Sequence, residues 1–153
     1  MYLSTSLPEP EVIMPTPQLV SALLCADVLT NPGGRLSIYN ILLDVSAERF
    51  PTVLPYLVAV GIWMHEAPDM RFCTTRVVIV NPDGNVSLAE STDNFSLGGA
   101  VVRHVSVHRF RGVLLPEPGT YRLQFLLGTE VLQDIPLVAV EIPAEEEEET
   151  DAN

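Results

Sequence analysis

Short runs rich in β-branched residues, each closed by a cluster of Gly, Pro, Asn or Asp, set the strongest limit on how this chain folds. The clearest breaks are Asn31-Pro32-Gly33-Gly34, Asn81-Pro82-Asp83-Gly84-Asn85 and Pro116-Glu117-Pro118-Gly119. Such punctuation is the pattern of strands joined by turns. In the second cluster Pro presets φ and Gly accepts φ > 0, which marks a hairpin. No segment carries a sustained 3.6-residue period with caps, so little or no helix is expected.

The spacing predicts strands over Leu19 to Leu29, Arg35 to Leu42 and Tyr56 to Met64, with a shorter extended piece from Val45 to Phe50. Further strands are expected over Phe72 to Val80, Val86 to Glu90, Val101 to Val113, Tyr121 to Leu127 and Glu130 to Ile142. Ser91 to Gly99 reads as a loop. Pro136 cannot donate to a ladder, so the last strand is expected at an edge or bulged at that residue. The fold class that follows is all-β: a two-layer antiparallel, immunoglobulin-like sandwich of seven to eight strands.

The run Tyr56 to Met64 is apolar on both faces, which suggests a central strand covered on both sides. Leu57, Ala59, Gly61 and Trp63 share one face; if the other fills the core, this one needs a cover. On the run Val101 to Val113, alternation sets Arg103, Arg109 and Arg111 beside Val105 and Val107. His104, Ser106 and His108 fall on the opposite face.

With 153 residues, 47% of them hydrophobic, the chain is long enough for one domain with a proper core. Its parts are expected to be a mobile Pro-rich arm over 1–18, the sandwich over 19–142 and a disordered acidic tail over 143–153. The formal charge of −12 is concentrated at one end. Residues 141–153 hold seven of the 20 acidic groups; the remaining 13 against 8 Arg leave a net of −5. A mildly acidic body argues against nucleic acid as partner. Lys is absent, which rules out Schiff-base chemistry on this chain. No apolar run approaches a bilayer span, so no membrane partner is expected. The start lacks a basic, apolar leader, so a cytoplasmic location is expected. Reduced, buried thiols are the default reading of Cys25 and Cys73, with an inter-sheet disulfide as the alternative.

The run Ala22-Leu23-Leu24-Cys25-Ala26-Asp27-Val28, then Gly34-Arg35-Leu36-Ser37-Ile38, belongs to a set that also includes Phe50-Pro51, Asn81-Pro82-Asp83-Gly84 and Pro116-Glu117-Pro118-Gly119-Thr120-Tyr121-Arg122. Together these resemble a family of small bacterial proteins of unknown function with an immunoglobulin-like sandwich. The resemblance covers about Leu19 to Ile142. It implies the fold and a bacterial cytosol, and it transfers no activity and no site residue.

No P-loop, Rossmann glycine pattern, G-x-S-x-G, H-E-x-x-H or C-x-x-C occurs, although a missing motif does not exclude an enzyme. No cofactor is expected. His104 and His108 lie roughly 13 Å apart on an extended strand, too far to share one metal ion. His65 with Glu66 and Asp69, at a strand end, is the better candidate for metal or small-ligand binding, with hydrolysis as a possible chemistry. The leading expectation is a non-enzymatic module that binds a protein partner or a second copy through a sheet face or an edge strand. Leu57, Trp63, Arg103, Arg109 and Arg111 are the candidate contact residues.

Overall fold

A computed structural model describes residues 16–144. Nine strands follow one another: β1 Gln18–Thr30, β2 Leu36–Ile41, β3 Asp44–Ala47, β4 Thr52–Met64, β5 Arg71–Val80, β6 Ser87–Leu97, β7 Arg103–Leu115, β8 Gly119–Leu127 and β9 Glu130–Glu141. They form a four-stranded sheet ordered β2-β1-β4-β7 and a five-stranded sheet ordered β3-β9-β8-β5-β6. No helix occurs among the described residues. The all-β, two-layer architecture agrees with the sequence reading. Most of the arm expected over 1–18 and of the tail expected over 143–153 lies outside the described residues.

The core sits between the sheets. Leu24, Leu57, Ala59 and Phe110 from the first sheet meet Val77, Ile79, Tyr121, Leu123, Phe125 and Leu137 from the second. Burial of this apolar surface is the main force holding the layers together. Tyr121 adds a fastening at the start of β8: its hydroxyl donates to the Glu117 carbonyl at 2.6 Å and accepts from the Glu117 N–H at 3.2 Å. Burial raises the pKa of the Tyr121 phenol, so it remains a donor.

Three features differ from the sequence reading. The span Ser91 to Gly99, expected as a loop, is mostly strand, because β6 pairs with β5 along its whole length from Ser87 to Leu97. Its polar residues mislead: Thr92, Asn94 and Ser96 face solvent, while Phe95 and Leu97 are buried. The strand expected over Val86 to Glu90 is thereby lengthened, and the ninth strand is β3, expected only as a short extended piece. The sheets are also not wholly antiparallel, since β3 runs parallel to β9 from Asp44↔Val138 to Ala47↔Glu141. Finally, β9 lies between β3 and β8 rather than at an edge. Pro136 is still tolerated, because β3 reaches only as far as Val138 and none of the described strands flanks Pro136 on that side.

The ribbon formed by β4 and β7 changes face part-way along. Leu57 and Phe110 point into the core, and so do Leu54 and Val113, although each pair is three residues apart along its strand. The change occurs where Pro55 opposes Gly112, whose φ of +65° is a conformation open to glycine at little cost. One continuous ribbon therefore feeds the core at both ends.

Candidate functional site

The outward face of the four-stranded sheet is built by simple alternation. Val58 and Val60 of β4 point away from the core residues Leu57 and Ala59, and they pack with Cys25 and Val28 of β1. Leu23, Leu36, Tyr56 and Val107 surround them, partly buried. Cross-strand partners share a face, so Ile38, opposite Val28, and Ile41, opposite Cys25, extend this apolar surface to the sheet margin. There Ile38, Tyr39, Ile41 and the following Leu43 are exposed, Leu43 to 75%.

Strand β2 is the outermost strand of that sheet, and its sequence, Leu-Ser-Ile-Tyr-Asn-Ile, has no charge and no proline. Asn40, with φ of +52°, kinks it opposite Ala26, so the regular part of the edge is Leu36 to Tyr39. The other described margins differ. Strand β3 is four residues long and begins with Asp44, and the free half of β9 carries Glu130, Asp134 and Pro136. These are devices that deter strand pairing, and β2 has none of them beyond its shortness and its kink.

Arg103, Arg109 and Arg111 all lie exposed on the outward side of β7. Arg109 donates to the Tyr56 hydroxyl and lies 3.6 Å from the Asp27 carboxylate. The Arg111 guanidinium lies 5.9 Å from the centre of the Tyr56 ring. The arginines thus border the apolar face, with Tyr56 as the joint.

Leu57 and Trp63 correct the expectation of a contact surface. Both are fully buried on the inner face of β4, because the five-stranded sheet supplies the cover that this face required. The Trp63 indole N–H donates to Ser106 Oγ at 3.0 Å, and its ring meets Phe95 at 5.7 Å. Cys73 belongs to the same cluster. Cys25 and Cys73 are both free, and burial raises the pKa of each thiol.

His65, Glu66 and Asp69 do not assemble. His65 is buried, and a cavity of about 310 Å³ is lined by Thr16, Gln18, Met64, His65 and Glu66 without Asp69. Among the described residues no three His, Cys, Asp or Glu side chains are gathered to hold a metal.

The sequence reading missed a partly buried polar seam. His104, Ser106 and His108 face inward, while Val105 of the same strand is exposed. Inward-facing Ser91 and Asp93 of β6 meet them: His104 Nε2 lies 2.9 Å from Asp93 Oδ2, and His108 Nδ1 lies 3.2 Å from Ser91 Oγ. The His104 ring stacks on Phe95 at 4.1 Å. The signal available was the matching spacing, with Ser91 and Asp93 two apart and His104 and His108 on one face. The label of loop over Ser91 to Gly99 hid it.

The model of the family of unknown function DUF6941 matches residues 20–140. The chain belongs to that family. No curated protein matches it. A solved structure, Pseudomonas fluorescens alkylpurine DNA glycosylase AlkC bound to DNA containing an abasic site analog, is similar over 64% of this chain at 13% identity and a TM-score of 0.48. The chain spans 27% of that structure's length. That structure is bound to DNA, and the exclusion of nucleic acid drawn from net charge is withdrawn as a correction, on a ground that lies in this chain's own residues. The flaw in the inference is physical. Net charge is a sum dominated by residues 141–153, and it says nothing of a local face such as β7, where three of the eight Arg project together. A likeness this weak carries no argument about what the DUF6941 chain itself binds. No helix among the described residues is long and apolar enough to cross a membrane.

Proposed function

We propose that this chain is a non-enzymatic binding module that takes up an extended strand, from a protein partner or from a second copy, along the free edge of β2. The observation that carries the reading is the contrast between margins. Strand β2 alone among the described edges combines exposed apolar side chains with neither charge nor proline. An added strand would pair with its free backbone groups, while Ile38 and Ile41 supply side-chain contact continuous with the outward cluster. The arginines of β7 lie at the far border of that surface and favour an acidic partner.

The immunoglobulin-like reading of the sandwich fits this role. The order β9-β8-β5-β6 corresponds to strands G, F, C and C′ of that fold, and β1-β4-β7 to A, B and E. The Tyr121 hydroxyl bonded back to Glu117 is the arrangement of a tyrosine corner. A bacterial, cytoplasmic setting is part of the same proposal.

The test is the pair of substitutions Ile38→Lys and Ile41→Lys. Wild-type protein is expected to run as a dimer or to co-purify with a protein partner, by light scattering and mass spectrometry. The doubly charged variant should lose that association with unchanged circular dichroism. Association that survives both charges, or a wild-type monomer without a partner, overturns the reading.

A further inference from the structure

The β6–β7 seam joins the two sheets along one side, and beyond the single Gly98–Val101 bridge at its turn it does so without a backbone ladder: among the described residues β6 pairs with β5 and β7 with β4. Beyond that turn the polar contacts across the gap are those from His104 to Asp93 and from His108 to Ser91, with Phe95 stacked on His104 and packed with Leu97 against Trp63. We infer that this seam is an acid-sensitive latch, in which protonation of His108 separates β6 from β7 and frees the two strand edges they close.

The argument starts from the surroundings of the ring. His108 is fully buried, and its Nε2 has no hydrogen-bond partner among the described residues. Its Nδ1 is engaged by Ser91, Phe125 of β8 meets it edge-on at 6.2 Å, and Ala59 is its cross-strand partner on β4. A neutral ring with an unprotonated Nε2 leaves only a lone pair unsatisfied. Protonation places an N–H and a positive charge there with no acceptor, which is far costlier in a dry interior. The charged or titratable groups that act on it are Asp93 from β6 and His104 from its own strand; β4 and β8 present Ala59 and Phe125, which are not ionisable. Asp93 would favour the cation, but it is already engaged by His104.

Burial is the largest influence on His108 and lowers its pKa from 6.5, against smaller raising effects of Asp93 and Ser91. The opened state, with the ring in water, therefore binds more protons than the closed one below about pH 6.5. Closure is at full strength above that pH. It weakens as pH falls through 6.5 and continues to weaken until the buried ring itself titrates. Separation of the strands would bare the outer edges of β6 and β7 and would wet Trp63, the sole tryptophan, which lies against Phe95 and Ser106. This inference does not rest on the β2 reading.

The experiment is amide hydrogen exchange on the full chain between pH 7.5 and 5.0, corrected for intrinsic rates, with Trp63 emission followed in parallel. The opening constant for β6 and β7 amides is expected to rise by up to about tenfold for each pH unit below 6.5, with a red shift of Trp63 emission. In His108→Phe both changes should vanish, while Asp93→Asn should retain the pH dependence. Should His108→Phe fail to fold, the wild-type ring's own NMR titration decides, and it must lie below 6.5. A flat wild-type profile, a dependence that survives in His108→Phe, exchange that rises equally in β1 and β2, or a His108 titration at or above 6.5 each overturns the latch.

Discussion

Gly61 has no side chain because its neighbours have taken the space. A Cβ built there would lie 2.9 Å from Ser106 Oγ, 3.1 Å from Trp63 Nε1 and 3.2 Å from Leu19 Cδ1. Gly61→Ala therefore drives apart the Trp63–Ser106 hydrogen bond that anchors the only tryptophan. The expected cost is about 1–3 kcal/mol, the usual range for overpacking, and urea unfolding of the variant checks it. That Trp63 occupies a strand apolar on both faces could be read from the sequence. Which face is the core could not, since alternation is symmetric and only the partner sheet breaks the tie. The same limit explains β7. Alternation set Val105 and Val107 against His104, Ser106 and His108 without telling which side is inner; the inner face carries the polar set, matched by Trp63 of β4 and by Asp93 and Ser91 of β6.

At the scale of strands, most boundaries followed from turn residues, because Pro and Gly act locally and need no knowledge of the fold. Asn81 shows this directly: its side-chain oxygen accepts from the N–H groups of Asn85 and Val86, both at 3.0 Å, and its carbonyl accepts from Gly84 at 2.9 Å. The second half of β6, from Ser91 on, was illegible for the opposite reason. Its Ser, Thr, Asp and Asn are turn formers by propensity, and pairing with β5 overrides that preference. Strand β9 separates local from tertiary control cleanly. Pro136→Ala is expected to change stability by no more than about 0.5 kcal/mol, because none of the described strands flanks Pro136 on the β3 side. Val138→Pro, two residues on, removes the N–H donated to the Leu43 carbonyl at 3.5 Å. A loss of at least about 1 kcal/mol is expected there. Thermal unfolding of the two variants side by side makes the comparison. The β2 edge was legible as an apolar strand, but its place at the margin of a sheet was not.

At the scale of the whole molecule, the two thiols report on integrity. Cys25 and Cys73 are buried in different clusters, on the outward face of the first sheet and between the layers. Burial raises both pKa values, so the thiolate fraction in the folded state is small. An alkylating reagent at pH 7.5 is expected to leave both unmodified in native protein and to label both in denaturant. Mass spectrometry without reductant should show two free thiols. Fast labelling of native Cys25 would mean that the outward cluster opens on its own. Charge, by contrast, was a poor guide at this scale, since it averaged a strongly acidic end with a body bearing three aligned arginines.

The long β4–β7 ribbon also has a bearing on time. The β1–β2, β5–β6 and β8–β9 pairs join strands that are neighbours in the chain, but β4 and β7 are separated by a whole hairpin, β5 and β6. Each local pair closes a short loop, whereas the ribbon closes only after the intervening chain has been arranged, at an entropic cost that precedes any reward from its contacts. Strand β4, which is buried on both faces, is therefore expected to find its final partner late, in a folding reaction on the millisecond-to-second scale typical of sandwiches.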